Sequence, residues 1–230
     1  GGRGVTRPLH PTALVTGGNR GIGLAICKAL VARGCRVTLG SRDEERGRRA
    51  AAEAGCAYAR LDFGDPDSSF DAVVQAGGFD ILVNNAGVMS EVSLLSPRSD
   101  FAESMEVMVQ APLDLIRLNL PHWRETGWGR IVNLSSGWGA HAEGLGGPGA
   151  YGVAKAALNA LTHALPRDLP PGVKINSCDP GWVDTRMGRS AGSAPPLTVE
   201  QGADTPVWLA LLPDDGPTGG FFRKRLPVAW

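Results

Sequence analysis

Thr12-Ala13-Leu14-Val15-Thr16 runs directly into Gly17-Gly18-Asn19-Arg20-Gly21-Ile22-Gly23. The first five residues read as a buried strand. From Gly21 to Ala32 the spacing of Ile22, Ala25, Ile26 and Ala29 puts apolar side chains on one helical face. Strand, glycine turn and helix in that order open a parallel β-α-β unit. Gly17 permits the tight turn, Gly21 a close approach of backbone to a pyrophosphate, and Gly23 close helix packing. The helix N-terminus then offers free N–H groups and a positive dipole end to an anion.

The alternation continues downstream. Strands are expected at Cys35 to Gly40, Ala57 to Leu61, Phe79 to Asn84, Gly129 to Leu134, Val173 to Cys178 and Gly219 to Arg223. Helices are expected at Asp43 to Ala54, Asp67 to Gln75, Ser99 to Arg124, Ala150 to Leu165 and Thr198 to Leu211. Pro112 lies inside the longest of these and is expected to kink or break it. A glycine-rich loop runs to Gly149, and a polar loop from Arg186 to Pro196. This is a single-domain α/β pattern: a doubly wound parallel sheet with helices on both faces. Residues 1–11 read as a flexible leader or an expression remnant, with no secretory signal, and 12–230 as the domain.

Composition narrows the function. The 230 residues are 43% hydrophobic and 20% charged, and 23 basic residues balance 23 acidic ones. That balance argues against nucleic acid as a partner, and no apolar run is long enough to span a membrane. Cys27, Cys35, Cys56 and Cys178 have no C-x-x-C spacing and read as small core residues of a reducing, cytoplasmic compartment, with no metal site.

The second strand ends in Ser41-Arg42, where a preference for NAD would call for an acidic residue. Two guanidiniums, Arg42 and Arg20 of the glycine turn beside Asn19, favour a ribose 2′-phosphate and hence NADP(H). Asp43 is read as the cap of the next helix. Asp62 and Phe63 follow the third strand, and Asn85-Ala86-Gly87 follow the fourth, at the sheet edge where open α/β sheets bind ligands.

Tyr151-Gly152-Val153-Ala154-Lys155 places a phenol and an ammonium four residues apart on one helical face. A phenol ordinarily ionises near roughly pH 10, and a neighbouring ammonium is expected to pull that value down. A proton donor and a bound nucleotide together suggest redox chemistry on a carbonyl or an alcohol.

In order, the T-G-x-x-x-G-x-G turn, Asp62, Asn84-Asn85-Ala86-Gly87, Asn133-Leu134-Ser135-Ser136, Tyr151-x-x-x-Lys155 and Pro180-Gly181-Trp182-Val183-Asp184-Thr185 resemble the short-chain dehydrogenase/reductase family. Gly17 to Gly21, Ser41 to Asp43 with Arg46-Gly47, and Gly219 to Arg223 look most like its NADPH-dependent carbonyl reductases. The resemblance implies a Rossmann-type domain. It implies Tyr151 as general acid, Lys155 as its modulator and the holder of the nicotinamide ribose, and Ser136 as the hydroxyl that orients the carbonyl. Ser135 is expected to face away. Pro180, Gly181, Val183 and Thr185 would meet the nicotinamide, with Gly17, Asn19, Arg20, Gly21, Ile22, Gly23, Ser41, Arg42, Asp62, Phe63, Asn85, Ala86 and Gly87 holding the rest of the cofactor. Many members add an asparagine that holds a relay water; here that position falls on Met108, which can neither donate nor accept usefully.

Met89, Trp138, His141, Trp182 and Met187 lie just beyond these motifs and are candidates for the wall of a small-molecule carbonyl pocket. The chain lacks the large insertion before the tyrosine that obstructs dimer helices in some carbonyl reductases, which favours a homodimer or homotetramer. Rival readings are an oxidative alcohol or hydroxysteroid dehydrogenase and a cofactor-binding scaffold that has lost its chemistry.

Overall fold

The computed structural model describes residues 7–190 and 192–230; residues 1–6 of the expected leader lie outside them. At the other end of that leader, the Arg36 N–H donates to the Pro11 oxygen at 2.9 Å. The strands are β1 (Thr12–Thr16), β2 (Arg36–Ser41), β3 (Ala57–Arg60), β4 (Ile81–Asn84), β5 (Gly129–Leu134), β6 (Val173–Cys178), β7 (Phe221–Arg223) and β8 (Leu226–Pro227). They form one sheet in the order β3-β2-β1-β4-β5-β6-β7-β8, parallel throughout except that β8 runs antiparallel to β7. The helices are α1 (Gly21–Ala32), α2 (Glu44–Ala54), α3 (Pro66–Ala76), α4 (Phe101–Met105), α5 (Ala111–Thr126), α6 (Tyr151–Ala164), α7 (Arg186–Arg189) and α8 (Val199–Ala210).

Successive strand residues alternate between two cores. Ala13, Val15, Val37, Leu39, Ile81, Val83, Val132 and Leu134 pack with α1, α2 and α8. Leu14, Leu82, Ile131 and Ile175 pack with Val73 of α3 and with Leu115, Ile116 and Trp123 of α5. Each of these large apolar side chains contributes about 1.5–3 kcal/mol by leaving water. α6 joins the second face, where Asn133 Nδ2 donates to Thr162 Oγ1 at 2.9 Å. All four cysteines are free; Cys27, Cys35 and Cys178 are buried and Cys56 is half-buried. Strand order reverses between β1 and β4, which opens a crevice at their carboxyl ends.

Two local expectations are corrected. Pro112 does not end the helical path, but the α-helical hydrogen bonding is interrupted just before it. α4 passes into a π turn at Glu106–Gln110 and then into α5, where Pro112 occupies the first turn. Proline has no N–H for the carbonyls of the preceding turn, and the π turn directly precedes it. The sheet also gains an eighth strand beyond Arg223. Lys224 and Arg225, at φ 50° and 59°, make a two-residue turn without glycine. Arg225 is held there by its N–H on Thr205 Oγ1 at 3.1 Å and its guanidinium on Asp204.

Candidate active site

The glycine turn is built by contacts from the neighbouring strand. Thr16 Oγ1 accepts from the N–H groups of Asn85 and Ala86, each at 3.0 Å. Asn85 Nδ2 donates to the carbonyls of Thr16 and Gly17 at 3.1 and 3.2 Å. Gly17 sits at φ 61°, and a Cβ there would lie 3.0 Å from Ala86 Cα. Gly21 is likewise left-handed at φ 56° and faces Thr185 Cγ2, so the turn and the Pro180–Thr185 segment meet. α1 starts at Arg20 with no side-chain cap and no acidic residue in its first turn. Its N–H groups and dipole are therefore free for an anion, and Asn19 and Ile22 flank them half-buried.

Arg20 and Arg42 are exposed and form no ion pair among the described residues. Asp43 caps α2 by accepting from the Arg46 N–H at 3.0 Å. The Ser41 hydroxyl is already engaged, donating to the Asp43 carbonyl at 3.2 Å. Asp62 lies at the end of β3, but its oxygens take Gly64 N–H at 3.0 Å and Arg60 at 3.1 Å. Phe63 beside it packs into the second core.

At the other end, Tyr151 opens α6 and Lys155 lies one turn on, with 9% and 3% of their surface exposed. Lys155 Nζ is 5.5 Å from the Tyr151 ring centre and donates to the Leu134 oxygen at 2.6 Å. That bond ties α6 to the end of β5, where the two serines diverge. Ser135 is buried and its hydroxyl has no partner among the described residues. Ser136 is half-buried, and its oxygen caps the Gly137–Gly139 turn by accepting from the Trp138 N–H at 3.1 Å. The Trp138 indole stands edge-on to Tyr151, with centres 6.0 Å apart. Gly146 and Gly147 make room for it: a Cβ on Gly147 would lie 2.8 Å from the ring.

The expectation that Lys155 lowers the phenol is not met in this structure. Burial pushes Tyr151 above its ordinary 10, and the charge of Asp179 pushes it further. Burial also takes the Lys155 ammonium down to about 8.

Met108 lies in the π turn, 1% exposed, in one cluster with Tyr151 and Ala154. Met89, Met105 and Met187 pack against that cluster, so all four methionines of the chain belong to it or line it. A Cβ on Gly87 would touch Met108 Sδ and Met187 Cε. Of the proposed wall residues, Trp138 stands against Tyr151, and Met89 and Met187 pack against the cluster that holds it. Trp182 instead leans on α7, its Nε1 donating to the Gly188 oxygen at 2.8 Å, and His141 lies exposed on the 141–143 turn. Thr185 caps α7, its Oγ1 accepting from the Gly188 N–H at 2.9 Å; Pro180, Gly181 and Val183 precede it around an isolated bridge from Val183 to Leu197.

Sequence reasoning missed Thr16 and Asp179. Thr16 ends β1 and Asp179 directly follows β6, the strand ends at which the sheet presents its ligand edge, which is the one local signal either carries. Among the described residues no cluster of His, Cys, Asp and Glu could hold a metal, and no helix is long and apolar enough to cross a membrane.

The family described as short chain dehydrogenase matches residues 11–195. Carbonyl reductase (NADPH) 1 of Mus musculus is 34% identical, over 96% of this chain and 99% of its own. That alignment spans 282 positions, more than the 230 residues here, so the relative carries segments without a counterpart. A 3-alpha-(or 20-beta)-hydroxysteroid dehydrogenase of Mycobacterium tuberculosis is 34% identical over 79% of this chain and 72% of its own. Salutaridine reductase from Papaver somniferum superposes with a TM-score of 0.79 at 27% identity, covering 93% of this chain and 99% of that one.

Proposed function

The chain belongs to the short-chain dehydrogenase family of NAD(P)-dependent oxidoreductases, and we propose that it is an NADPH-dependent reductase of a ketone, aldehyde or quinone. The observation that carries this reading is the approach of Tyr151 and Lys155 on α6 to the Ser136 end of β5, through the Lys155–Leu134 bond and the Trp138–Tyr151 contact. A bound NADPH supplies the hydride that reaches the carbonyl carbon. The structure fits such a group: the glycine turn is left-handed where a backbone must come close, and the α1 start is uncapped and free of acid.

The residues divide the work. Gly17 to Gly23 take the pyrophosphate on the α1 N–H groups. Arg42 and Arg20 bind the ribose 2′-phosphate by charge-assisted bonds, and Asp62 with Phe63 flanks the adenine side. Asn85, Ala86 and Gly87, tied to the turn through Thr16, would hold the cofactor beside it, and Pro180, Gly181, Val183 and Thr185 would meet the nicotinamide. Ser136 gives up its bond to the Trp138 N–H no more than it must, because that bond uses an oxygen lone pair. The hydroxyl proton remains free to donate to a substrate carbonyl. Tyr151 Oη delivers its proton to the same oxygen as the carbon accepts hydride, so ketone becomes alcohol. Met89, Trp138 and Met187 supply the apolar wall. α5 and α6 of two copies would pair to make a homodimer or homotetramer.

The name of the carbonyl reductase relative supports NADPH over NADH, and that of the mycobacterial relative points to the oxidative direction. The test is NADPH consumption by the purified protein on a panel of quinones, diketones, aldehydes and cyclic ketones beside Tyr151→Phe. Turnover that vanishes in the variant supports the reading. Tight NADPH binding without turnover on any member would favour the scaffold instead.

A further inference from the structure

The end of β2, where Arg42 leaves the sheet, is fixed by a hydroxyl from the neighbouring strand. Tyr58 lies on β3, opposite Leu39 in the parallel register, and is half-buried. Its Oη donates to the Ser41 carbonyl oxygen at 2.8 Å. The same oxygen accepts the Leu61 N–H at 3.0 Å, so both of its lone pairs are used. The peptide that leads from Ser41 into Arg42 is thereby held by two donors. On the other side of Arg42, the Asp43 carbonyl accepts from Ser41 Oγ at 3.2 Å, and the Asp43 carboxylate accepts the Arg46 N–H at 3.0 Å. Arg42 thus stands between two anchored residues, while its own side chain is exposed and has no ion pair among the described residues. The Tyr58 ring has little freedom to leave. A Cβ on Gly47 of α2 would collide with both Tyr58 Cε2 and Ser41 Oγ. Arg48 Cζ lies 5.3 Å from the ring centre, and Arg48 Nε is itself tied to Glu44 at 2.9 Å.

We propose that Tyr58 is a positioning residue for cofactor selection, a role that rests on the NADP(H) reading: its hydroxyl fixes the Ser41–Arg42 peptide so that the Arg42 guanidinium is aimed at the ribose 2′-phosphate. A guanidinium that starts from a mobile backbone must lose backbone as well as side-chain freedom when it grips a phosphate. One that starts from a fixed peptide loses only the side-chain part, so more of its charge-assisted bond is realised as affinity. The gain falls on the nucleotide that carries a 2′-phosphate, because NADH offers Arg42 no anion at that position. Arg20 comes from the glycine turn, so the Tyr58 bond acts on one of two guanidiniums and sets part of the preference rather than all of it.

Tyr58→Phe removes Oη alone and keeps the ring against α2. Fluorescence titration gives the Kd of NADPH and of NADH for the parent, Tyr58→Phe, Arg42→Ala and the double variant. In Tyr58→Phe the preference for NADPH over NADH falls about threefold to fivefold, through weaker NADPH with NADH held within about twofold. In the Arg42→Ala background the same change leaves the preference within about twofold, since a positioning effect needs the group it positions. A merely structural role would lower Tm and weaken both nucleotides together. An unchanged preference in Tyr58→Phe, or an equal fall with and without Arg42, overturns the proposal. If Tyr58→Phe melts without cooperativity, Gly47→Ala replaces it. The added methyl displaces the Tyr58 ring or the Ser41 hydroxyl, so the preference again falls, and an unchanged preference overturns the proposal. Failure of the NADP(H) reading shows in the parent itself, as equal binding of the two nucleotides, and takes this role of Tyr58 with it. A parent that prefers NADPH, beside a Tyr58→Phe that keeps the whole preference, overturns the role of Tyr58 alone.

Discussion

Lys155 Nζ points at the Leu134 carbonyl oxygen, 2.6 Å away, from a position that is 3% exposed. This side chain is therefore an ammonium held in the interior by one backbone acceptor. Its ordinary 10.5 falls to about 8, with burial as the first cause. Between those values the unfolded chain keeps the proton that the folded chain has released. Stability thus climbs as pH rises through that window, and the burial penalty is fully present at neutral pH. It amounts to about 3 kcal/mol, and the bond to Leu134 offsets part of it. Lys155→Met is expected to abolish turnover while raising stability by ~1–2 kcal/mol at neutral pH, roughly 3–6 °C in Tm. A melt beside an NADPH assay checks both, and a Tm below that of the parent would refute the account.

Met108 occupies the place where many relatives are expected to carry a relay asparagine, and it does so as an apolar plug. It clusters with Tyr151 and Ala154, and Val88, Met89, Met105, Val107, Val109 and Met187 pack against that cluster. Its thioether is asked only to fill space there, so Met108→Leu should keep turnover within about threefold, a volume-conserving exchange. Met108→Asn puts an amide into that cluster and should cost ~2–3 kcal/mol of stability. Denaturant melts and initial rates on both variants decide the matter. A loss of turnover beyond tenfold in Met108→Leu would show that sulfur does more than pack.

The strand-helix alternation, the glycine turn and the Tyr151–Lys155 spacing were legible because each is a local pattern with a fixed period. The rest depends on groups far apart in the chain. Thr16 organises Asn85 and Ala86 across 69 and 70 positions, and Asp179 meets Arg223 across 44. The π turn at Glu106–Gln110 carries the same apolar rhythm as a helix, so nothing in its residues marks the change. The turn at Lys224-Arg225 uses left-handed residues without the usual glycine or asparagine. The structure brings Tyr151 and Lys155 together on α6, while burial first and the charge of Asp179 second, neither visible in the local spacing, raise the phenol.

Arg42 stands exposed at the end of β2 without an ion-pair partner among the described residues. A guanidinium that serves a 2′-phosphate should matter for NADPH and not for NADH. Arg42→Ala is expected to weaken NADPH about tenfold, the loss of one charge-assisted bond, and to leave NADH within about twofold. Fluorescence titrations of both nucleotides at low and high salt read this, the NADPH loss shrinking with salt. Equal weakening of both nucleotides would place Arg42 outside the 2′-phosphate site.

Gly23 and Gly55 give the sharpest contrast between a glycine required by its neighbours and one required only by its own backbone. A Cβ on Gly23 would collide with the Gly17 carbonyl and lie 2.5 Å from Asn85 Nδ2. Neither can yield, since the carbonyl is backbone and the amide is bound to Thr16 and Gly17. Gly23→Ala must therefore push α1 away from the turn. It should cost ~1–3 kcal/mol and weaken NADPH more than tenfold. Gly55, at φ 69° with open space around its Cβ position, ends α2 on the far side of β2. Gly55→Ala pays only the left-handed strain, about 1 kcal/mol, and should bind NADPH as the parent does. Calorimetry and nucleotide titration on the pair test the argument. If Gly23→Ala binds NADPH normally, the close approach of α1 to the glycine turn is not what builds the cofactor site.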